Sequence, residues 1–258
     1  MRIFILLLFL AISAIPAAGN GQAILNVERL KADESTGLTG QVSSTVSLKA
    51  GNTEIFQVGG SLGLGLRKEK HWARGFAGLD WLKKGSEEIL DNKYLHFRYN
   101  YLFGERLRTF HFLQLQTNQN LFLKRRFLFG SGVRYRLAGG GEAGLDIGSG
   151  VMMETERLDP DKLSQGEASK TETLRMANLL VGSGPIGDGS RWTAVVYYQP
   201  AFSGFEDYRL LGEAGLSVKI INSLDLTVDL TWRHDSRAPL GLEEDDLGLK
   251  TGISLKVG

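Results

Sequence analysis

Cysteine is absent from the 258 residues. That excludes a disulfide framework, a thiolate metal site, a cysteine nucleophile and a lipid anchor on an N-terminal cysteine. Proline is scarce, at 5 residues against 33 glycines, a balance that suits curved strands rather than disordered tracts. Neither sign of charge is in excess. The formal net charge is +1, and Arg2 is the sole charged residue before Glu28. With no basic surplus, nucleic acid is not an expected partner. Mean hydropathy is −0.11, which excludes a bundle of membrane helices. The 4 histidines show no spacing that resembles a zinc site, and Asp159-Pro160-Asp161 is too short for a calcium loop. No cofactor is expected.

What is present begins with a secretory signal. Arg2 supplies a thin positive region, and Ile3 to Ile15 is apolar but too short to span a bilayer as a retained helix. Pro16, Ala17, Ala18 and Gly19 are the small and turn-forming residues a signal peptidase needs. Cleavage is expected between Ala18 and Ala23. The expected organisation is a signal peptide over 1–23, a short periplasmic segment over 24–36 and one barrel over 37–258.

From Gly37 onward the recurring pattern is strict alternation, the mark of a strand with one apolar and one polar face. Leu224, Leu226, Val228, Leu230 and Trp232 share one face; Asp225, Thr227, Asp229, Thr231, Arg233 and Asp235 share the other. The last strand repeats the pattern, and so do the two strands flanking Gly139-Gly140. A soluble sandwich also alternates. Length separates the cases: many stretches here run about ten residues or more, whereas strands of globular proteins run roughly five or six. A tilted strand of about nine to eleven residues crosses a bilayer. Trp72, Trp81, Tyr101, Phe103, Trp192, Tyr208 and Trp232 sit near strand ends, where interfacial girdles place aromatics.

Counting gives about twelve strands, from Gly37–Lys49 to Asp246–Val257. The eighth is expected at Glu172–Leu180, followed by a connection over Ser183–Ser190. Tight connections such as Lys68-Glu69-Lys70 and Ile221-Asn222-Ser223 alternate with longer polar ones, among them Glu156–Thr171 and Ser236–Asp245. The expected fold is all-β, a closed antiparallel transmembrane β-barrel preceded by a cleaved signal peptide. Its expected location is the cell outer membrane, with both termini in the periplasm and the long loops outside. Lys250, Gly252, Leu255 and Val257 resemble the final-strand signal read by the barrel-assembly machinery, although that signal usually ends in an aromatic.

Four local signatures carry a family resemblance: Gly51-Asn52-Thr53, Arg126-x-x-x-Gly130-x-Gly132-x-x-Tyr135, Asp207-Tyr208-Arg209-Leu210, and Arg237-Ala238-Pro239 followed by Asp245 and Asp246. In this order and spacing the chain resembles the YdiY-like family of salt-induced outer membrane proteins, a domain of unknown function (family 481). The resemblance covers roughly Gly37 to Val257 and departs from the family in the missing terminal aromatic and in an insertion around Asp159 to Lys170. It implies an outer-membrane location, with outer-membrane lipids and lipopolysaccharide as surroundings and the barrel-assembly machinery as partner during biogenesis. It brings no catalytic residues.

Parity puts a mixed charge on the inward face: Arg98, Arg134, Arg136 and Lys219 against Glu142, Asp146, Glu213, Asp225 and Asp229. Arg134 and Arg136 share a face with Asp146 and Glu142 across one hairpin, so they can pair. Two readings follow, a lumen closed by ion pairs and a polar pore that orients a passing solute. His234, next to Asp235 and Ser236, offers a second class of function, a lipid hydrolase acting at the barrel surface. Adjacent strand residues face opposite sides, however, which argues against a triad built from these three. A third class is a surface receptor acting through Glu156–Thr171. The run Lys124-Arg125-Arg126 is expected on the outer side, either meeting lipopolysaccharide phosphates or simply solvated. The leading expectation is a non-enzymatic envelope barrel, a narrow pore or a salt-responsive component. The protein should fractionate with the outer membrane, require detergent for extraction and shift in SDS gel mobility on boiling. A soluble periplasmic protein without that shift would remove the architecture.

Overall fold

A computed structural model describes residues 37–49, 55–84, 87–140 and 143–257. The signal segment, the 24–36 segment and the Gly51-Asn52-Thr53 turn lie outside the described residues. The elements are β1 (Gly37–Lys49), β2 (Ile55–Lys68), β3 (His71–Lys84), β4 (Glu87–Tyr101), β5 (Leu107–Asn118), β6 (Leu123–Gly140), β7 (Ala143–Leu158), β8 (Lys170–Met176), β9 (Asn178–Ile186), β10 (Ser190–Ala201), β11 (Gly204–Ile221), β12 (Leu224–Asp235) and β13 (Asp245–Val257). Two 3₁₀ turns, Gln119–Leu121 and Pro160–Lys162, interrupt the connections. No helix among the described residues is long and apolar enough to cross a membrane.

Every strand pairs antiparallel with its neighbours, and β13 returns to β1 through Gly40↔Val257 to Ser44↔Ile253. The sheet is closed. β8 and β9 act as one strand: against β7 the register runs from Val151↔Met176 to Gly148↔Leu179, with the Ala177 N–H donating to the Gly150 carbonyl between them. The ring therefore has 12 staves. Closure leaves no sheet edge, which is the condition for strands in hydrocarbon.

Alternation is carried through to three dimensions. On β6, Phe129 and Val133 are 52% and 54% exposed while Leu128 and Arg134 are buried. On β5, Leu113 and Leu115 face out while Phe112, Gln114 and Gln116 are buried. The exterior is thus an apolar belt. Aromatics mark its outer rim: Phe56 packs edge-on against Trp81 with ring centroids 5.8 Å apart, and Tyr208 stacks on His234 at 5.4 Å. The inside-out distribution is that of a membrane barrel, and its place is the outer membrane.

One strand departs from the sequence reading. The eighth stave starts at Lys170, not Glu172, and continues through Gly182, Ser183, Gly184 and Pro185 to Ile186. The turn that follows needs glycine: Gly187 and Gly189 hold φ of +59° and +83°. A glycine–proline stretch reads as a loop, but Trp192 on β10 lays its ring across Gly182 and Gly184. The ring supplies the cover those residues lack, as aromatic rescue does elsewhere in sheets. Face assignment is testable on β12. Val228→Arg should destabilise the barrel by about 2–4 kcal/mol if it lies near the midplane, and Thr227→Arg, turned inward, should cost less. Equal losses in refolding titrations would contradict the parity.

Candidate functional site: the barrel lumen

The inward side chains form three layers. At the periplasmic end Asp146 on β7 is held by three guanidinium groups. Arg134 donates through Nη2 at 2.6 Å and Nε at 3.0 Å, Arg108 through Nη2 at 2.7 Å and Arg136 through Nε at 2.9 Å. Arg134 reaches Asp146 because both strands leave one hairpin with the same parity, and Arg108 arrives from β5 on the other side. Nearby, the buried Arg74 bonds Asn100 at 2.8 Å. The carboxylate is therefore shared, where the sequence reading expected a pair.

Above it lies an apolar layer that the sequence reading missed. Phe110, Phe112, Leu128, Met152, Ala177, Leu179, Val181, Val195, Tyr197 and Leu211 form one buried cluster inside the barrel. Gly130 and Gly132 make room for it, since a Cβ at either would overlap the ring of Phe112 or Phe110. His96 stacks on Phe112 at 5.8 Å with planes 10° apart, and its Nδ1 meets Gln114 Oε1 at 3.0 Å. The signal was present. Leu128 and Met152 occupy inward parity on strands whose charges had already been assigned inward.

The outer layer is a network of ions. Arg126 on β6 bonds Glu156 on β7. Arg175 on β8 donates to Glu154 at 3.1 Å and to Asp207 at 2.7 Å. Arg209 on β11 reaches Glu154, bonds both oxygens of Glu156 at 3.1 and 3.2 Å, and holds Asp235 at 2.9 Å. β7 and β11 are not neighbours; β8, β9 and β10 lie between them. Arg209 therefore spans a chord of the lumen. A second chord joins Lys250 on β13 to Asp80 on β3 at 2.5 Å.

These positions revise several expectations. The basic run splits: Lys124 and Arg125 are exposed, while Arg126 turns inward and is buried among carboxylates. Glu156 is not the first residue of a loop, because β7 continues to Leu158. Outside the barrel, Lys124 bonds Asp159 at 2.9 Å and holds that carboxyl below its usual range. Of the inward charges read from sequence, Arg98, Arg134, Asp146, Glu213 and Asp225 are buried. Arg136 is half-buried, as is Asp229 opposite Lys250, and Lys219 is exposed at the periplasmic rim. Glu142 lies outside the described residues. Arg98 holds its guanidinium 5.9 Å over the Phe112 ring, and Asp225 accepts from Ser217 at 2.6 Å. In the terminal signal, Lys250 makes the second chord, the Gly252 carbonyl accepts from Thr227, Leu255 faces out at 44% exposure and Val257 pairs with Gly40. His234 meets Asp245 at 3.2 Å on the outer surface, whereas the Ser236 hydroxyl is bonded to the Glu206 carbonyl and the Tyr208 N–H.

Two signatures seen in the sequence thus meet in space, with Arg126 and Arg209 gripping the same Glu156. The family described as "Protein of unknown function, DUF481" matches residues 24–256. The chain belongs to this family. Among solved structures it is similar to the translocator domain of the autotransporter NalP from Neisseria meningitidis, at 13% identity, 88% coverage of this chain and 93% of that one, with a TM-score of 0.52. It is equally similar to the NanC porin, at 7% identity, 85% and 100% coverage and a TM-score of 0.52. At these identities the likeness concerns the fold alone. No curated protein matches the chain.

The three-to-one grip on Asp146 sets a stability test. Asp146→Ala should cost about 3–5 kcal/mol, because it strands guanidinium groups in a confined interior. Adding Arg134→Ala should return a part of that loss and no more, since Arg108 and Arg136 remain. Thermal unfolding of the two single variants and the double variant measures this. Losses of about 1 kcal/mol or less at each position would indicate a wet, screened site.

Proposed function

We propose that this DUF481 member is a non-enzymatic outer-membrane channel whose passage is barred by luminal ion pairs and loosened by salt. The observation that carries the reading is the Arg209 chord, a cation on β11 clasped by Glu154 and Glu156 of β7. A filled lumen needs no chord at its mouth, and a wide pore would hydrate these charges separately. The inner members are dry, with Glu154 at 2% and Glu156 at 8% side-chain exposure. The rim member is wet: Asp235 keeps 27%. Exposed pairs weaken as the screening length falls from about 10 Å at 0.1 M salt to about 3 Å at 1 M, whereas buried pairs respond much less. Salt therefore acts on the rim and relaxes the bar from outside.

Small polar solutes or ions fit the ion-lined mouth, and the apolar layer beneath it supplies the constriction. The expected surroundings are outer-membrane lipid and lipopolysaccharide, with Lys124 and Arg125 exposed toward the outer leaflet headgroups. The barrel-assembly machinery is the expected partner during biogenesis. Planar-bilayer recording tests the reading. Wild-type conductance should rise more steeply than bulk conductivity between about 0.1 and 1 M salt. Arg209→Gln should conduct more at low salt and lose the excess steepness. Identical conductance in the two proteins, or none in either, would overturn the bar as a gate.

A further inference from the structure

Among the described residues a polar stripe crosses the lipid-facing surface from β5 to β9, and Ser44 on β1 and Thr251 on β13 are further outward polar residues. In the stripe, His111 on β5, Ser131 on β6, Ser149 on β7 and Asn178 on β9 all carry outward parity. They are bonded in two groups, one across β5 and β6 and one across β7 and β9. Ser131 Oγ meets His111 Nδ1 at 2.9 Å, His111 Nε2 meets Thr109 Oγ1 at 3.1 Å, and Ser149 Oγ donates to Asn178 Oδ1 at 2.7 Å. The flanking residues on the same strands are apolar and exposed: Phe129 and Val133 on β6, Ile147 and Val151 on β7.

Strand pairing gives the depth of the stripe. Thr109 faces Val133, and Val133 faces Ser149. The same row continues through Asn178, Tyr198, Leu210 and His234 to Asp245 at the outer rim. At a tilt of about 40° each strand crossed climbs roughly 3 Å, and two residues along a strand climb roughly 5 Å. His111, Ser131, Ser149 and Asn178 then lie within roughly 4 Å of one depth, about midway up the apolar belt. No ester carbonyl of a lipid reaches that depth, so Ser131 and His111 are not a nucleophile and base for lipid hydrolysis.

Polar side chains facing hydrocarbon are costly, and hydrogen bonds to a neighbouring protein surface offset the cost. Symmetry selects the neighbour. Copies inserted in the same orientation are related by an axis along the membrane normal, so every residue meets the other copy at its own depth. A stripe of constant depth, built from groups that both donate and accept, is complementary to itself. We infer that the β5–β9 face is a lateral contact between two copies of this chain.

The absence of cysteine gives a clean test in isolated outer membranes. Val133→Cys sits beside the stripe; Leu64→Cys sits on β2, on a distant face that is equally exposed to lipid. A short thiol crosslinker should yield a product of twice the monomer mass with Val133→Cys and none with Leu64→Cys. Adding Asn178→Leu and Ser131→Ala to Val133→Cys should reduce the product several-fold while the boiling-dependent gel shift persists. Equal products from both cysteines, monomer alone from both, or an adduct of another mass would each overturn the contact. If the added substitutions prevent folding, the two single cysteines still decide.

Discussion

Hydrocarbon offers no hydrogen bonds to a backbone, and the rest of this structure depends on that constraint. Each N–H and C=O in the belt must find a partner within the protein. A single sheet meets the requirement only by closing, as it does here between β13 and β1. Closure then divides the side chains into two populations. One meets lipid and is selected for apolarity. The other is driven into a confined space with eleven other staves' inward residues, where its charges must find each other.

The interior follows from that confinement. Guanidinium groups are planar and carry several donors, so one can serve two or three carboxylates at once. Arg209 does so with Glu154, Glu156 and Asp235, and Asp146 is the mirror case, one acid serving three bases. Between the two networks lies a layer of rings and aliphatic chains. Gly130 and Gly132 belong to this layer as much as Phe112 does, since the rings occupy the volume their side chains would need. The two glycines thus carry the imprint of the aromatics on β5, and at Gly132 also of the β7 backbone.

The period of two made the fold legible, because membrane strands carry their environment in alternate residues. Leu224 to Asp235 shows both faces in plain order. The Arg134–Asp146 contact was legible too, since one hairpin fixes its register. Arg209 and Glu154 were not, being 55 residues apart on strands that never pair; alternation says which way a residue faces, not what faces it. Arg126 was masked by two basic neighbours, and Glu156 by a polar stretch that looked like the start of a loop. The stave that includes β9 was cut short because Gly182, Gly184 and Pro185 speak against a strand, and the residue that rescues them, Trp192, lies beyond the next turn.

Among the described residues, and with β8 and β9 taken as one stave, the seam that closes the ring is the shortest ladder between neighbouring staves. β1 and β13 share five residue pairs, from Gly40↔Val257 to Ser44↔Ile253, whereas β1 and β2 share thirteen. Any load that tends to open a cylindrical wall puts the same hoop tension on every seam. The wall yields where the bonds resisting that tension are fewest. In this barrel that place joins the first strand to the last, so mechanical failure of the wall and completion of its assembly converge on the same line.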